Sequence, residues 1–244
     1  MAAIVEQLEG LPVRRLSRWC FNCYLITGEH AEVVVDPFRP RIVEDLTDLL
    51  TGRALIVTAT HGHPDHISGA PALAIQHDGE VHLPATTLTY LDGDAEPRTP
   101  NLAKLARTWP VLFGQPFDTK AALGFVTATS TTGFGTSRGM LWKGPAPAGG
   151  LDDGAPLPGA PDWTVIATPG HTDDSIALWH NDSRTLISGD AVITMRKQPR
   201  FAPDTVDEAA AARTAARLRT LPVEHLLPGH GHPIHAAAVL QSAR

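Results

Sequence analysis

The sequence predicts an α/β protein made of two β-sheets packed face to face with helices on the outside. Three observations carry this. The first third alternates β-branched apolar runs with helical stretches. The last third repeats that logic. In both, the apolar runs lead into turns that hold His or Asp beside glycine. Two β-rich segments that each carry helices bury their apolar faces by packing sheet on sheet.

The elements follow in order. Residues 21–27 and 31–36 read as strands joined by a hairpin at Gly28-Glu29-His30. A helix over 41–51 and a strand over 54–59 come next, then a helix over 69–77 and a short strand over 80–83. Residues 85–110 read as mostly helical, broken by Pro97 and Pro100. Further on, 163–168, 175–180 and 184–188 read as strands, with Asn181-Asp182-Ser183 as the turn between the last two. Thr205-Val206-Asp207-Glu208 fits a capping box before an Ala-rich helix over 207–220. A strand over 224–227 and a closing helix over 234–242 complete the chain. No tandem repeat of short period is visible.

Residues 1–244 read as a single domain carrying a Gly/Pro-rich loop at about 133–161, where eight glycines and five prolines argue against regular structure. Phe134, Met140, Leu141 and Trp142 lie in that loop beside Arg138 and Lys143. Apolar residues there need something to cover, so the expectation is a substrate-covering flap.

Composition narrows the function. A chain of 244 residues builds one large α/β domain with a substantial core. The formal net charge of −6 and the scattered basic residues give no nucleic-acid surface, so no nucleic-acid partner is expected. No apolar run approaches the ~20 residues of a membrane span, and no basic-then-apolar leader opens the chain. The expected location is the cytoplasm, with no membrane partner. Nothing in the sequence specifies an oligomeric state. The only cysteines, Cys20 and Cys23, lie in a strand-like run and lack a second pair. They read as two small semi-buried side chains rather than a redox or zinc pair.

The chemistry concentrates in His61-Gly62-His63-Pro64-Asp65-His66, at the end of a β-branched run. His61 and His63 alternate along the chain and point the same way. Asp65 and His66 follow the turn made by Pro64 and face a second position. Pro169-Gly170-His171, Ser188-Gly189-Asp190 and Pro228-Gly229-His230 each add one donor. His232 lies close by, but His230 directly follows the strand and the Pro-Gly turn.

One tetrahedral ion uses at most four donors. Seven suit two: His61, His63 and His171 on one, Asp65, His66 and His230 on the other, with Asp190 bridging. Neutral imidazoles with carboxylates suit two Zn²⁺, and iron or manganese accepts the same donors. Two ions ~3.5–4 Å apart hold a shared hydroxide ionised at neutral pH.

This ordered set resembles the metallo-β-lactamase superfamily. Supporting fragments are Asn22-x-Tyr24-Leu25, Val33-Val34-Val35-Asp36-Pro37, Thr168-Pro169-Gly170-His171-Thr172 and Leu227-Pro228-Gly229-His230-Gly231. The resemblance implies an αββα sandwich of two mixed β-sheets, with the metals at one edge between them. It also implies the same ligand set, and Asp36 as a residue orienting the metal loop.

Within the superfamily, the branch that fits best is the small hydrolases resembling glyoxalase II and the lactonases. True β-lactamases lack a bridging aspartate at the Asp190 position and are secreted. With 14 residues after His230, glutathione specificity of the glyoxalase II kind is not expected, and neither Tyr24 nor Tyr90 obviously matches a lactonase tyrosine. The 105 residues separating His66 from His171 hold an insertion expected to build the pocket.

The expected reaction is cleavage of a small-molecule ester, thioester or lactone by a metal-bridging hydroxide, with Asp65 on the second ion and in the proton path. One alternative is a persulfide dioxygenase-like oxidoreductase with a single iron on His61, His171 and Asp190. Another is a non-catalytic binding or sensing protein on the same fold. The complete donor set favours the hydrolase.

Overall fold

The computed structural model describes residues 3–38, 42–99, 108, 110, 111, 117–132 and 141–244. Seven strands form the first sheet in sequential order: β1 (Ile4–Gln7), β2 (Val13–Arg18), β3 (Phe21–Thr27), β4 (Ala31–Val35), β5 (Ala54–Thr58), β6 (Glu80–Pro84) and β7 (Gly149–Leu151). The first four pair antiparallel, and each later strand joins in parallel. The second sheet holds β8 (Pro156–Leu157), β9 (Ala160–Ala167), β10 (Ile176–His180), β11 (Thr185–Gly189), β14 (His225–Pro228) and β15 (Ile234–His235). Its one parallel pair is β11 with β14. β12 (Val192–Met195) and β13 (Gln198–Phe201) make a separate hairpin. The helices are α1 (Ile42–Leu46), α2 (Pro64–Ile67), α3 (Ala70–His77), α4 (Ala85–Asp92), α5 (Thr119–Thr132) and α6 (Glu208–Leu218). None of the described helices is long and apolar enough to cross a membrane.

Side-chain alternation sorts the core into layers. Tyr24 and Ile26 of β3, with Val33 and Val35 of β4, face Trp163, Val165, Ile176 and Leu178 of the other sheet. Their neighbours Cys23, Leu25 and Val34 point the other way, onto α1 and α3. Ala177 and Trp179 of β10 likewise turn outward to Leu218 of α6. Strands buried on both faces lose the apolar/polar alternation and read as continuous apolar runs. The layers are therefore helix, sheet, sheet, helix, and the αββα expectation holds.

Polar contacts lock the sheets together at one edge. Asn22 Nδ2 donates to the carbonyls of Pro228 (2.8 Å) and Gly231 (2.7 Å), and the Tyr24 hydroxyl donates to Pro228 (2.7 Å). The Ile176 N–H donates to the Thr60 carbonyl at 2.8 Å. These groups are buried, so each leaves a costly unpaired atom if its partner is lost.

Several expectations need correction. The Gly/Pro-rich segment is not irregular throughout. Residues 133–140 lie outside the described residues, but β7 adds to the edge of one sheet, β8 to the edge of the other, and β9 begins at Ala160. Edge strands tolerate the prolines that a central strand excludes. Trp142 is buried in the layer outside the first sheet and donates Nε1–H to the Pro145 carbonyl at 2.7 Å. It is a core residue, not part of a flap.

The closing helix over 234–242 is instead β15 followed by a 3₁₀ turn, Val239–Gln241. The Ala236 and Val239 N–H groups donate to the carbonyls of Glu224 and Val223, so tertiary pairing outweighs the helix propensity of the alanines. Asp207, not Thr205, caps α6, its carboxylate accepting from the Ala210 N–H at 2.8 Å. Of the helical stretch expected over 85–110, the first helix ends at Asp92, where Gly93 adopts a left-handed conformation, and residues 100–107 and 109 lie outside the described residues. Sequence reading missed β1, β2, β12 and β13.

If Trp142 belongs to the core, Trp142→Ala will cost about 3 kcal/mol, in the range for a buried aromatic. Urea unfolding of both proteins measures this. A stability within ~0.5 kcal/mol of the parent would return Trp142 to a surface loop.

Candidate metal centre

All seven predicted donors come together where strand ends of the two sheets meet. β5 leads into His61, β9 into His171, β11 into Asp190 and β14 into His230. His63, Asp65 and His66 come from the turn and short helix after β5. Three sets of donor atoms lie within 4.8 Å of one another: His61, His63 and His171; His61, His66 and Asp190; and Asp65, His66 and His230. His232 joins none of them.

The contacts tell which nitrogen of each ring faces inward. His171 Nε2 lies 3.0 Å from His63 Nδ1, and His230 Nε2 lies 3.4 Å from His66 Nε2. Asp190 spans both groups, with Oδ2 3.6 Å from His171 Nε2 and 3.2 Å from His230 Nε2, and Oδ1 3.4 Å from His66 Nε2. Asp65 Oδ2 is 3.3 Å from His230 Nε2.

These residues fit a cation. His61 Nε2 is buried without a hydrogen-bond partner, while its Nδ1 sits 3.2 Å from Thr60 Oγ1. A buried imidazole held at its far nitrogen and bare at the other is what a metal ligand requires.

Electrostatics agree. Burial and the neighbouring imidazoles hold His61 well below the usual histidine range, and burial with His171 lowers His63 to about 3, so both are neutral donors. Burial also disfavours charge on His66, His171 and His230, but adjacent carboxylates outweigh it: Asp36 for His66, Asp204 for His171 and Asp190 for His230. Burial likewise works against ionised Asp190, yet His230 and His66 hold it well below the carboxylate range. Cations bound at these donors would take the place of the protons that these carboxylates favour.

The outer contacts fix these rings. Asp36 sits in the left-handed region at φ 55, a strained setting for a non-glycine residue. Its Oδ1 accepts from the Thr60 N–H (2.6 Å) and its Oδ2 from Thr60 Oγ1 (2.9 Å). Oδ2 also lies 2.9 Å from His66 Nδ1, close enough for an ion pair but off the line of a hydrogen bond. Backbone carbonyls serve the other rings: Asp204 at 2.9 Å from His171 Nδ1, and Cys20 at 3.2 Å from His230 Nδ1. Cys20 and Cys23 are both free and buried.

Sequence reading missed Asp204 and Asp174. Asp174 Oδ2 accepts from the Gly62 N–H (3.1 Å) and from Thr87 Oγ1 (2.9 Å), holding the His61–His63 turn. Its place just after His171 is the only signal the sequence offered. Gly229 explains one recurring glycine: a Cβ there would lie 2.6 Å from both Asp190 Oδ1 and His66 Cε1. A side chain would occupy the centre itself.

A cavity of about 90 Å³ adjoins the donors, lined by His63, Asp65, His171, Asp190 and His230 together with apolar residues that include Phe21, Phe125 and Ile193. Val111 and Phe125 come from the insertion between His66 and His171, which thus contributes to the pocket.

With this geometry the chain matches the sequence profile of the metallo-beta-lactamase superfamily over residues 22–230, and it belongs to that superfamily. Among curated proteins of Bacillus subtilis (strain 168), the probable metallo-hydrolase YflN is 28% identical over 195 residues, covering 73% of this chain and 64% of that protein. The probable metallo-hydrolase YqjP is 27% identical over 138 residues, covering 54% and 40%. The chain spans less than two thirds of either relative's length. Solved structures share the fold: TTHA1623 in a di-iron-bound form (TM-score 0.57, 23% identity, 91% of this chain and 92% of that one) and a metallo-beta-lactamase from Hirschia baltica (TM-score 0.61, 16% identity, 99% and 96%).

Asp36→Asn keeps a residue type that tolerates the left-handed backbone but removes the charge beside His66 and one acceptor for Thr60. Metal affinity will fall about 10–100-fold, as for other residues that orient ligands. Competition with a chromogenic chelator measures it. Unchanged affinity would show that Asp36 supports only the backbone.

Proposed function

We propose that the protein is a dinuclear metal-dependent hydrolase of a small ester, thioester or lactone. One observation carries this reading. Seven donors form three overlapping sets, the His61, His66 and Asp190 set linking the other two, beside a cavity that admits a small molecule. A closed structural site would have no such opening.

His61, His63 and His171 would hold one ion, Asp65, His66 and His230 the other, with Asp190 between them. Ions held in this way supply a water deprotonated near neutral pH and a Lewis acid for a carbonyl oxygen. The chain's own residues do the rest. Asp65 lines the cavity, and its carboxylate would bind the second ion and orient the attacking water or relay its proton. Phe21, Phe125 and Ile193 exclude water from the opposite wall. Zinc suits the donors best, and the di-iron form of TTHA1623 keeps iron among the candidates. The cavity beside the donors suits a small-molecule partner, and the formal net charge of −6 does not favour a nucleic-acid one.

Metal content is the first test, by elemental analysis of protein purified without added metal. Close to two ions per chain is expected; about one iron per chain would sink the dinuclear reading and point to oxygen chemistry. Variants give the second test. His66→Ala and Asp190→Ala will each lower ester or thioester hydrolysis by about 10³-fold or more, the scale lost when an electrostatic catalytic group is removed. Substantial hydrolysis by His66→Ala would mean that the second ion is not needed.

A further inference from the structure

The cavity wall facing the donors has a definite chemistry. Phe21 begins β3, Phe125 comes from α5 and Ile193 from β12, and Val111 precedes α5. The Phe21 and Phe125 rings pack at 5.5 Å between centroids and 31° between planes. Phe21 also meets the His230 ring edge-on at 5.4 Å. The apolar wall therefore touches the centre directly, with no polar layer between them.

Charge on the lining is one-sided. Apart from the histidines, the ionisable groups among the described lining residues are Asp65, Asp190 and Asp204, together with the Cys20 thiol, whose pKa burial raises; neither Lys nor Arg is present. Asp204 is 6% exposed and lies beyond the seven donors, 3.5 Å from His171 Nδ1. Among the described lining residues, a carboxylate carried on the acyl part of a substrate would meet Phe21, Phe125 and Ile193 with neither Lys nor Arg to pair with. Burying an unpaired charge against such a wall is strongly unfavourable.

Size sets the remaining limit. The cavity measures about 90 Å³. An apolar cavity of about 150 Å³ holds the six carbons of benzene. In proportion, about three to four carbons fit beside the centre.

We propose that the apolar wall of Phe21, Val111, Phe125 and Ile193 is an acyl pocket selecting a short, uncharged aliphatic acyl group of about two to five carbons. This rests on the hydrolase reading and names the substrate class of that same site. The carbonyl lies at the donors, the alkyl chain lies on the wall, and the leaving group points out of the open side. Phe125 sets the depth. It is half-buried on a helix, lines the pocket, and packs on Phe21, which in turn meets His230.

The test uses the metal-loaded protein and a series of p-nitrophenyl esters from acetate to decanoate, with a hemisuccinate ester as the charged member. For the parent, kcat/KM is expected to peak between two and five carbons and fall at least 10-fold by eight. The hemisuccinate should lie at least 10-fold below the butyrate. Phe125→Ala should move the optimum up by two or more carbons, with a gain of about 4-fold for each methylene newly buried. Phe125→Trp should move it down. A flat profile, a peak at eight carbons or more, a preference for the hemisuccinate, or a Phe125→Ala variant that changes every ester by one factor would each overturn the acyl pocket and leave the hydrolase standing. No turnover of any ester, thioester or lactone by protein carrying its full metal complement would overturn both.

Discussion

Asp36 is the contact on which the centre depends. It lies at the end of β4, buried and in a left-handed conformation, and both carboxylate oxygens are committed. One accepts from the backbone of Thr60; the other takes the Thr60 hydroxyl and faces His66. The Thr60 hydroxyl also meets His61, so one buried carboxylate orients one donor of each proposed ion. Strain of this kind persists only where the surroundings over-determine the residue, and here its partners do so.

That contact works because the sheets are already registered to each other. The Asn22 side chain and the Tyr24 hydroxyl reach from β3 to the 228–231 turn, while Ile176 bonds to Thr60. The donors on the two sheets are therefore fixed relative to one another by the polar contacts that close this edge of the sandwich. Close approach has a further requirement, visible at Gly229, where any side chain would fall among the ligands. Packing and chemistry constrain the same backbone.

The pocket shows how an insertion alters a shared frame. The donors occupy strand ends that belong to the fold, whereas Val111 and Phe125 belong to the long segment between His66 and His171. Superfamily membership and fold likeness define the frame and the metal-binding cluster. Two residues of the cavity wall, Val111 and Phe125, come from this chain's own insertion, and fold alone does not specify them.

Much of the centre was legible in the sequence because metal binding demands particular residue types at short spacings, and His61 to His66 meet that demand within six residues. Strands β3 to β6 were legible because buried strands leave apolar runs. β2 was not. Arg15 and Arg18 are buried within it, paired with Glu6, Asn22, Asp45 and Asp118, and a strand whose buried positions carry charge shows no apolar pattern. The 141–161 segment misled for the opposite reason: its Gly and Pro content suits a loop, yet edge pairing and the burial of Trp142 order it. Residue types and local spacing marked out the candidate donors. Contacts between residues distant in sequence decided what orients those atoms and what faces them, since hydrogen bonds accepted by Asp36, Asp174 and Asp204 and packing by Phe125 form only once the chain has folded.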